Sequence, residues 1–132
     1  MASIYKSAEL SISAKDAWNF IDKYTRSEVH VFSNSQRERR EGDYRVVTDL
    51  EGKEFWELNV RVDPEHMRAA YTVPGLFGAT FHAASMQIVD TGGPVCTLIW
   101  ITDVLPDSFA TELDKFYVDL FDELVSAVEG SR

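Results

Sequence analysis

The chain has 132 residues, 45% of them hydrophobic and 27% charged, enough for one domain with a core of its own. Its formal net charge of −9 argues against nucleic acid or an anionic membrane surface as partner, because both call for Lys and Arg patches. A single cysteine, Cys96, excludes an internal disulfide, and no stretch reaches the roughly 18 apolar residues of a membrane span.

The lone thiol of Cys96 makes a reducing cytoplasm the expected compartment. In chain order, the first residues carry no apolar run like a signal peptide. Ser3–Ile12 alternates like a strand. Ser13-Ala-Lys-Asp16 is a short capping box that opens a helix burying Ala17, Trp18, Phe20 and Ile21. Tyr24–His30 is expected to add a second short helix that closes one end of a sheet. Strands follow at Ser35–Glu41, Tyr44–Leu50, Glu54–Val62, Met67–Val73, Ala79–Asp90 and Val95–Val104, separated by turns rich in Gly, Pro and Asp. The basic run Arg37-Glu38-Arg39-Arg40 is interrupted by one Glu and followed by Glu41, and it reads as a solvated strand end.

The last element, Asp107–Val128, has apolar residues at Phe109, Leu113, Phe116, Leu120, Leu124 and Val128, with Tyr117, Phe121 and Val125 beside them. That spacing predicts one long helix with a single inward stripe. Asp107 or Ser108 can cap its first turn, and Gly130 lies just past its end. Hairpins followed by a segregated helix predict an α+β domain spanning residues 1–132.

Cross-strand pairing assigns the faces of the sheet, because opposed residues point the same way. With Asp90 opposite Val95, Val47 opposite Glu57 and Tyr71 opposite Glu57, one face holds Arg45, Val47, Phe55, Glu57, Asn59, Tyr71, Val73, Thr80, His82, Ala84, Met86, Thr97, Ile99 and Ile101. The other holds Val46, Trp56, Leu58, Val60, Phe81, Leu98 and Trp100, and by apolar content alone it would be the core.

The segments Ile12-Ser-Ala-Lys-Asp-Ala-Trp18, Gly42-Asp-Tyr-Arg45-Val-Val, Gly52 to Glu57-Leu58, Tyr71-Thr-Val73, and Trp100 ahead of Pro106 resemble the START-like, birch-pollen-allergen-type superfamily (SRPBCC). Within it they are similar to the polyketide cyclase/dehydrase and abscisic-acid-receptor-like branches. The resemblance implies a helix-grip fold: a seven-stranded antiparallel sheet wrapped around the long C-terminal helix, with two short helices after the first strand and a ligand cavity inside. It also implies that Glu57 and His82 point into that cavity, which makes the first face the inner one. Trp56, Leu58, Phe81, Leu98 and Trp100 would then form an outer apolar patch, for which a homodimer is expected.

On that reading Glu57 is a carboxyl in an apolar hollow with a raised pKa, suited to proton transfer, or else the partner of Arg45 in a structural ion pair. His82 can act as acid, base or hydrogen-bond donor, or simply be packed. Tyr71 can polarise an oxygen or be core. Arg45 can bind a ligand anion or neutralise Glu57. Val47, Phe55, Asn59, Val73, Ala84 and Ile99 complete the substrate-binding wall, with His30 capping it and Phe116, Tyr117 and Leu120 as its floor. Leu76 and Phe77, between Gly75 and Gly78, form either an apolar flap or a plain hairpin turn.

His30, His66 and His82 lack metal-ligand spacing, and no Gly-rich phosphate loop, Gly-x-Ser-x-Gly or CxxC is present, so neither metal nor cofactor is expected. The expected function is cofactor-free acid/base chemistry, such as cyclisation, dehydration or aldol-type condensation, on a small hydrophobic, aromatic or polyketide-like molecule. The alternative is a non-catalytic carrier or sensor of such a ligand.

Overall fold

The computed structural model describes residues 2–131. Seven antiparallel strands form one sheet: β1 (Ala2–Leu10), β2 (Ser35–Glu41), β3 (Tyr44–Asp49), β4 (Glu54–Asp63), β5 (Arg68–Thr72), β6 (Phe81–Asp90) and β7 (Cys96–Leu105), in the spatial order β1-β7-β6-β5-β4-β3-β2. Helix α1 (Ala14–Thr25) follows β1, and α2 (Ala110–Glu129) follows β7. This is the α+β architecture the sequence predicts, with one difference. No second short helix forms, because α1 runs on to Thr25 and the chain from 26 to 34 is irregular.

The local signals explain each helix end. The Ser13 hydroxyl accepts from the Asp16 N–H at 3.2 Å and caps α1. Neither Asp107 nor Ser108 occupies the N-cap position of α2. Both belong to a 3₁₀ turn (Asp107–Phe109), and the cap position falls to Phe109, which makes no side-chain capping bond. Gly130 closes α2, its N–H donating to Ser126 O.

The core is sealed where α2's C-terminal half meets α1, β1 and β7, and where α1 packs on β6. Leu10, Ile21, Met86, Leu98, Leu124 and Val128 are all fully buried there. The N-terminal half of α2 instead overlooks the part of the sheet that curves away from it. Edge strand β2 is strongly charged, which discourages pairing with other chains.

The observed registers differ from the expected ones in an instructive way. Arg45 opposes Glu57, and Tyr71 opposes Asn59. Each is shifted by two residues, so the faces are preserved. Between β6 and β7, Asp90 opposes Cys96 rather than Val95, a shift of one. Val95 belongs to the loop, and every β7 side chain is therefore reversed. Leu98 and Trp100 point inward, at 0% and 4% exposure, while Ile99 lies on the outer face. The outer patch consequently lacks Trp100. Trp56 and Phe81 remain on it, with Tyr44 edge-on to Trp56 at 5.4 Å. No helix among the described residues is long and apolar enough to cross a membrane.

Candidate functional site

Between α2 and strands β3 to β6 lies a cavity of about 370 Å³. It exists because the inner side chains of β3 and β4 at this end are few and partly polar, while α2 rests on β1 and β7 at the other side of the sheet. Glu57, His82, Tyr71, Arg45, Val47, Phe55, Val73, Leu76, Phe77, Phe116 and Leu120 all line it, with Tyr117. Four expected wall residues do not. Asn59 donates to Thr25 O at 2.8 Å and ties α1 to β4. Ala84 is buried in the core beside Tyr71. Ile99 is turned outward by the β7 register. His30 is half exposed and reaches the cavity only through Glu38, its Nδ1 3.0 Å from Glu38 Oε2.

Glu57 is not a lone carboxyl in an apolar hollow. Arg45 Nη1 donates to Glu57 Oε1 at 3.0 Å, and both side chains are nearly buried. The Arg45 guanidinium also stacks over the Tyr24 ring at 3.8 Å. Its Nε has no hydrogen-bond partner among the described residues.

His82 is held from one side. Its Nδ1 accepts the Val73 N–H at 3.0 Å, which leaves the ring proton on Nε2, and that atom is buried without a partner among the described residues. Burial lowers the pKa of the ring, so the imidazole is neutral.

The phenols behave alike. Tyr71 accepts from Trp100 Nε1 at 2.7 Å, and burial pushes its pKa well above the usual phenol range. Burial also raises Tyr24, and it pushes Tyr117 up to about 12. All three are neutral donors or acceptors.

An aromatic lane runs through the site. Ring centroids step from Tyr24 to Phe32 (6.0 Å), Trp100 (5.7 Å), Tyr117 (4.9 Å), Phe116 (5.4 Å), Phe77 (5.9 Å) and Phe55 (6.1 Å). Phe77 is 57% exposed and sits at φ 51°, between Gly75 at φ 75° and Gly78 at φ 86°. A left-handed phenylalanine costs about 1–2 kcal/mol.

Sequence reasoning passed over Tyr24, Phe32, Trp100 and Glu38. The Glu38 side chain is only 8% exposed and lines the cavity. Its signal was pairing: Glu38 opposes Val47, which lies on the inner face. Outside the cavity, Asp63, Glu65 and His66 bring ligand-type atoms within 4.8 Å of one another in an exposed turn. Two of these groups already satisfy each other, with His66 Nδ1 2.8 Å from Asp63 Oδ2.

No protein-family model matches the chain, and no curated protein does. Solved structures do. XoxI from Bacillus cereus superposes with a TM-score of 0.80 at 16% identity, over 98% of this chain and 94% of that one. Norcoclaurine synthase from Thalictrum flavum, in complex with dopamine and hydroxybenzaldehyde, gives 0.73 at 16%, over 96% and 84%. The di-domain ARO/CYC protein BexL gives 0.72 at 8%, over 99% of this chain and 46% of that one. The fold shared with these proteins is the helix-grip fold.

Proposed function

We propose that this helix-grip protein binds a small aromatic or polyketide-like molecule in the cavity and moves protons on it without a cofactor, in a cyclisation, dehydration or aldol-type condensation. The observation that carries this reading is His82. It is a buried ring whose Nδ1 is pinned by the backbone and whose Nε2–H has no partner in a chamber lined by aromatic side chains. A buried donor without a partner costs about 1–3 kcal/mol, which a ligand oxygen would recover. The likeness to norcoclaurine synthase and to an aromatase/cyclase supports the class of chemistry.

The step assigns one role to each group. The neutral imidazole donates its Nε2–H to a substrate carbonyl. The Glu57 carboxylate takes the proton from the adjacent carbon, and enolate charge develops on the oxygen that His82 holds. Glu57 then returns the proton, to a carbon or to a departing hydroxyl that leaves as water. Arg45 fixes the carboxylate. Glu57 and His82 stand two strands apart, about 10 Å between backbones, so their side chains can approach one substrate from both sides.

The test is deuterium exchange at the carbon next to the carbonyl of 4-hydroxyphenylacetone in deuterium oxide, followed by NMR. Wild-type protein should accelerate it, and His82→Phe should slow it by about a hundredfold. Glu57→Gln should slow it as well. That variant leaves Arg45 without its counter-charge at a cost of about 3–5 kcal/mol, so its fold is checked by circular dichroism. Exchange unaffected by either substitution would remove the acid/base roles.

One observation favours the carrier or sensor reading instead: Glu57 is committed to Arg45, and the three phenols are neutral. Under that reading the same ketone gives a stoichiometric thermal shift and no exchange.

A further inference from the structure

The charges on the cavity wall do not balance. Four carboxylates line it, Glu38, Asp49, Glu51 and Glu57, against one guanidinium, Arg45, the sole Lys or Arg on the wall among the described residues. Asp49 is used by its turn, since Oδ1 accepts the N–H groups of Glu51 and Lys53, and Glu51 is exposed. Glu38 and Glu57 are the inner two. Arg45 gives its hydrogen bond to Glu57 and reaches Glu38 only by longer-range attraction. The hydrogen-bond partner of Glu38 is the half-exposed ring of His30, at 3.0 Å. A carboxylate 8% exposed beside a greasy hollow is costly unless a cation joins it. The aromatic rings of the same wall, Tyr24, Phe32 and Trp100 among them, also favour a cation over an anion. Independently, two buried donors, Arg45 Nε–H and His82 Nε2–H, lack acceptors, which calls for an oxygen on whatever fills the space.

Building on the cavity reading above, we propose that the ligand is an oxygen-bearing arylalkyl amine. Its ring lies along the aromatic lane, its ammonium meets Glu38, and its oxygen accepts from His82 or Arg45. Carboxylates and phosphorylated compounds are excluded by the same charges.

The experiment is isothermal titration with three matched probes: tyramine, its alcohol counterpart tyrosol, and 3-(4-hydroxyphenyl)propionate. Tyramine should bind about tenfold more tightly than tyrosol, as one charge-assisted hydrogen bond implies, and the carboxylate should bind most weakly. In Glu38→Gln the ratio of tyramine to tyrosol affinity should fall to about one. Equal or tighter binding of tyrosol or of the carboxylate by wild-type protein overturns the proposal and leaves the cavity reading standing. So does an amine preference that survives in Glu38→Gln. Absence of heat from all three probes overturns the cavity reading, and this proposal with it. Should Glu38→Gln not fold by circular dichroism, the order of the probes on wild-type protein decides alone.

Discussion

His82 turns one ring nitrogen to the backbone and leaves the other facing the cavity. This gives it a pH signature as well as a chemical one. Burial lowers its pKa in the folded state below the ordinary value of 6.5. As pH falls through the unfolded value, the unfolded chain takes up a proton that the folded chain refuses, so stability drops from that point down to the folded pKa. Above it the residue contributes no pH dependence. Urea unfolding midpoints between pH 7.5 and 5 should therefore decline more steeply for wild-type protein than for His82→Gln. Parallel curves would mean that the ring is solvated. Glu57 and Arg45 teach a different lesson at this scale. Both residues and both of their roles could be written down from sequence, but the choice of ion pair needed the register that sets them directly opposite.

Among the elements, loops decided what the strands meant. Side chains alternate with period two, so a loop miscounted by two residues moves partners along a strand without changing faces, whereas a miscount of one inverts the strand. The Glu51–Lys53 turn was of the first kind. The loop after β6 was of the second, because Gly92 and Gly93 both take positive φ and draw Val95 into the turn. That single residue moved Trp100 from an expected docking patch to the heart of the cavity. The Pro74–Gly78 segment is the other loop with consequences. Phe77 bridges Phe55 on β4 and Phe116 on α2 from an exposed, left-handed position. Phe77→Ala should change global stability by less than about 1 kcal/mol, since the ring is mostly solvated. It should speed ligand release by about tenfold, most of the effect falling on the off-rate, read by stopped-flow tryptophan fluorescence. An unchanged off-rate would make this segment a plain hairpin turn.

For the molecule as a whole, α2 divides the interior. Leu124 and Val128 close one end completely, while Phe116, Tyr117 and Leu120 overlook about 370 Å³ of open space at the other. Proteins tolerate such voids at a cost in stability, and filling one usually gains stability at the expense of function. Val47→Phe, from the wall facing the helix, should raise unfolding free energy by about 1 kcal/mol through added apolar burial and should abolish ligand binding. Denaturant titration and calorimetry measure the two effects. A destabilised variant would show that side chains already occupy the space.

By itself the sequence determined the long amphipathic helix, the run of hairpins, the division of β3 to β6 into two faces and the residues of the Arg45–Glu57 pair, because these follow from local periodicity and turn chemistry. Which face turns inward was legible only through the family resemblance, since apolar content pointed the other way. Tertiary structure alone decided the rest. It fixed the handing of β7, the burial of Glu38 beneath a strand that reads as solvated, the loss of the second short helix, and the incomplete seal between helix and sheet. Those depend on loop conformation and sheet curvature, where a displacement of one residue or a few ångströms changes which groups share a space, and no pattern along the chain records it.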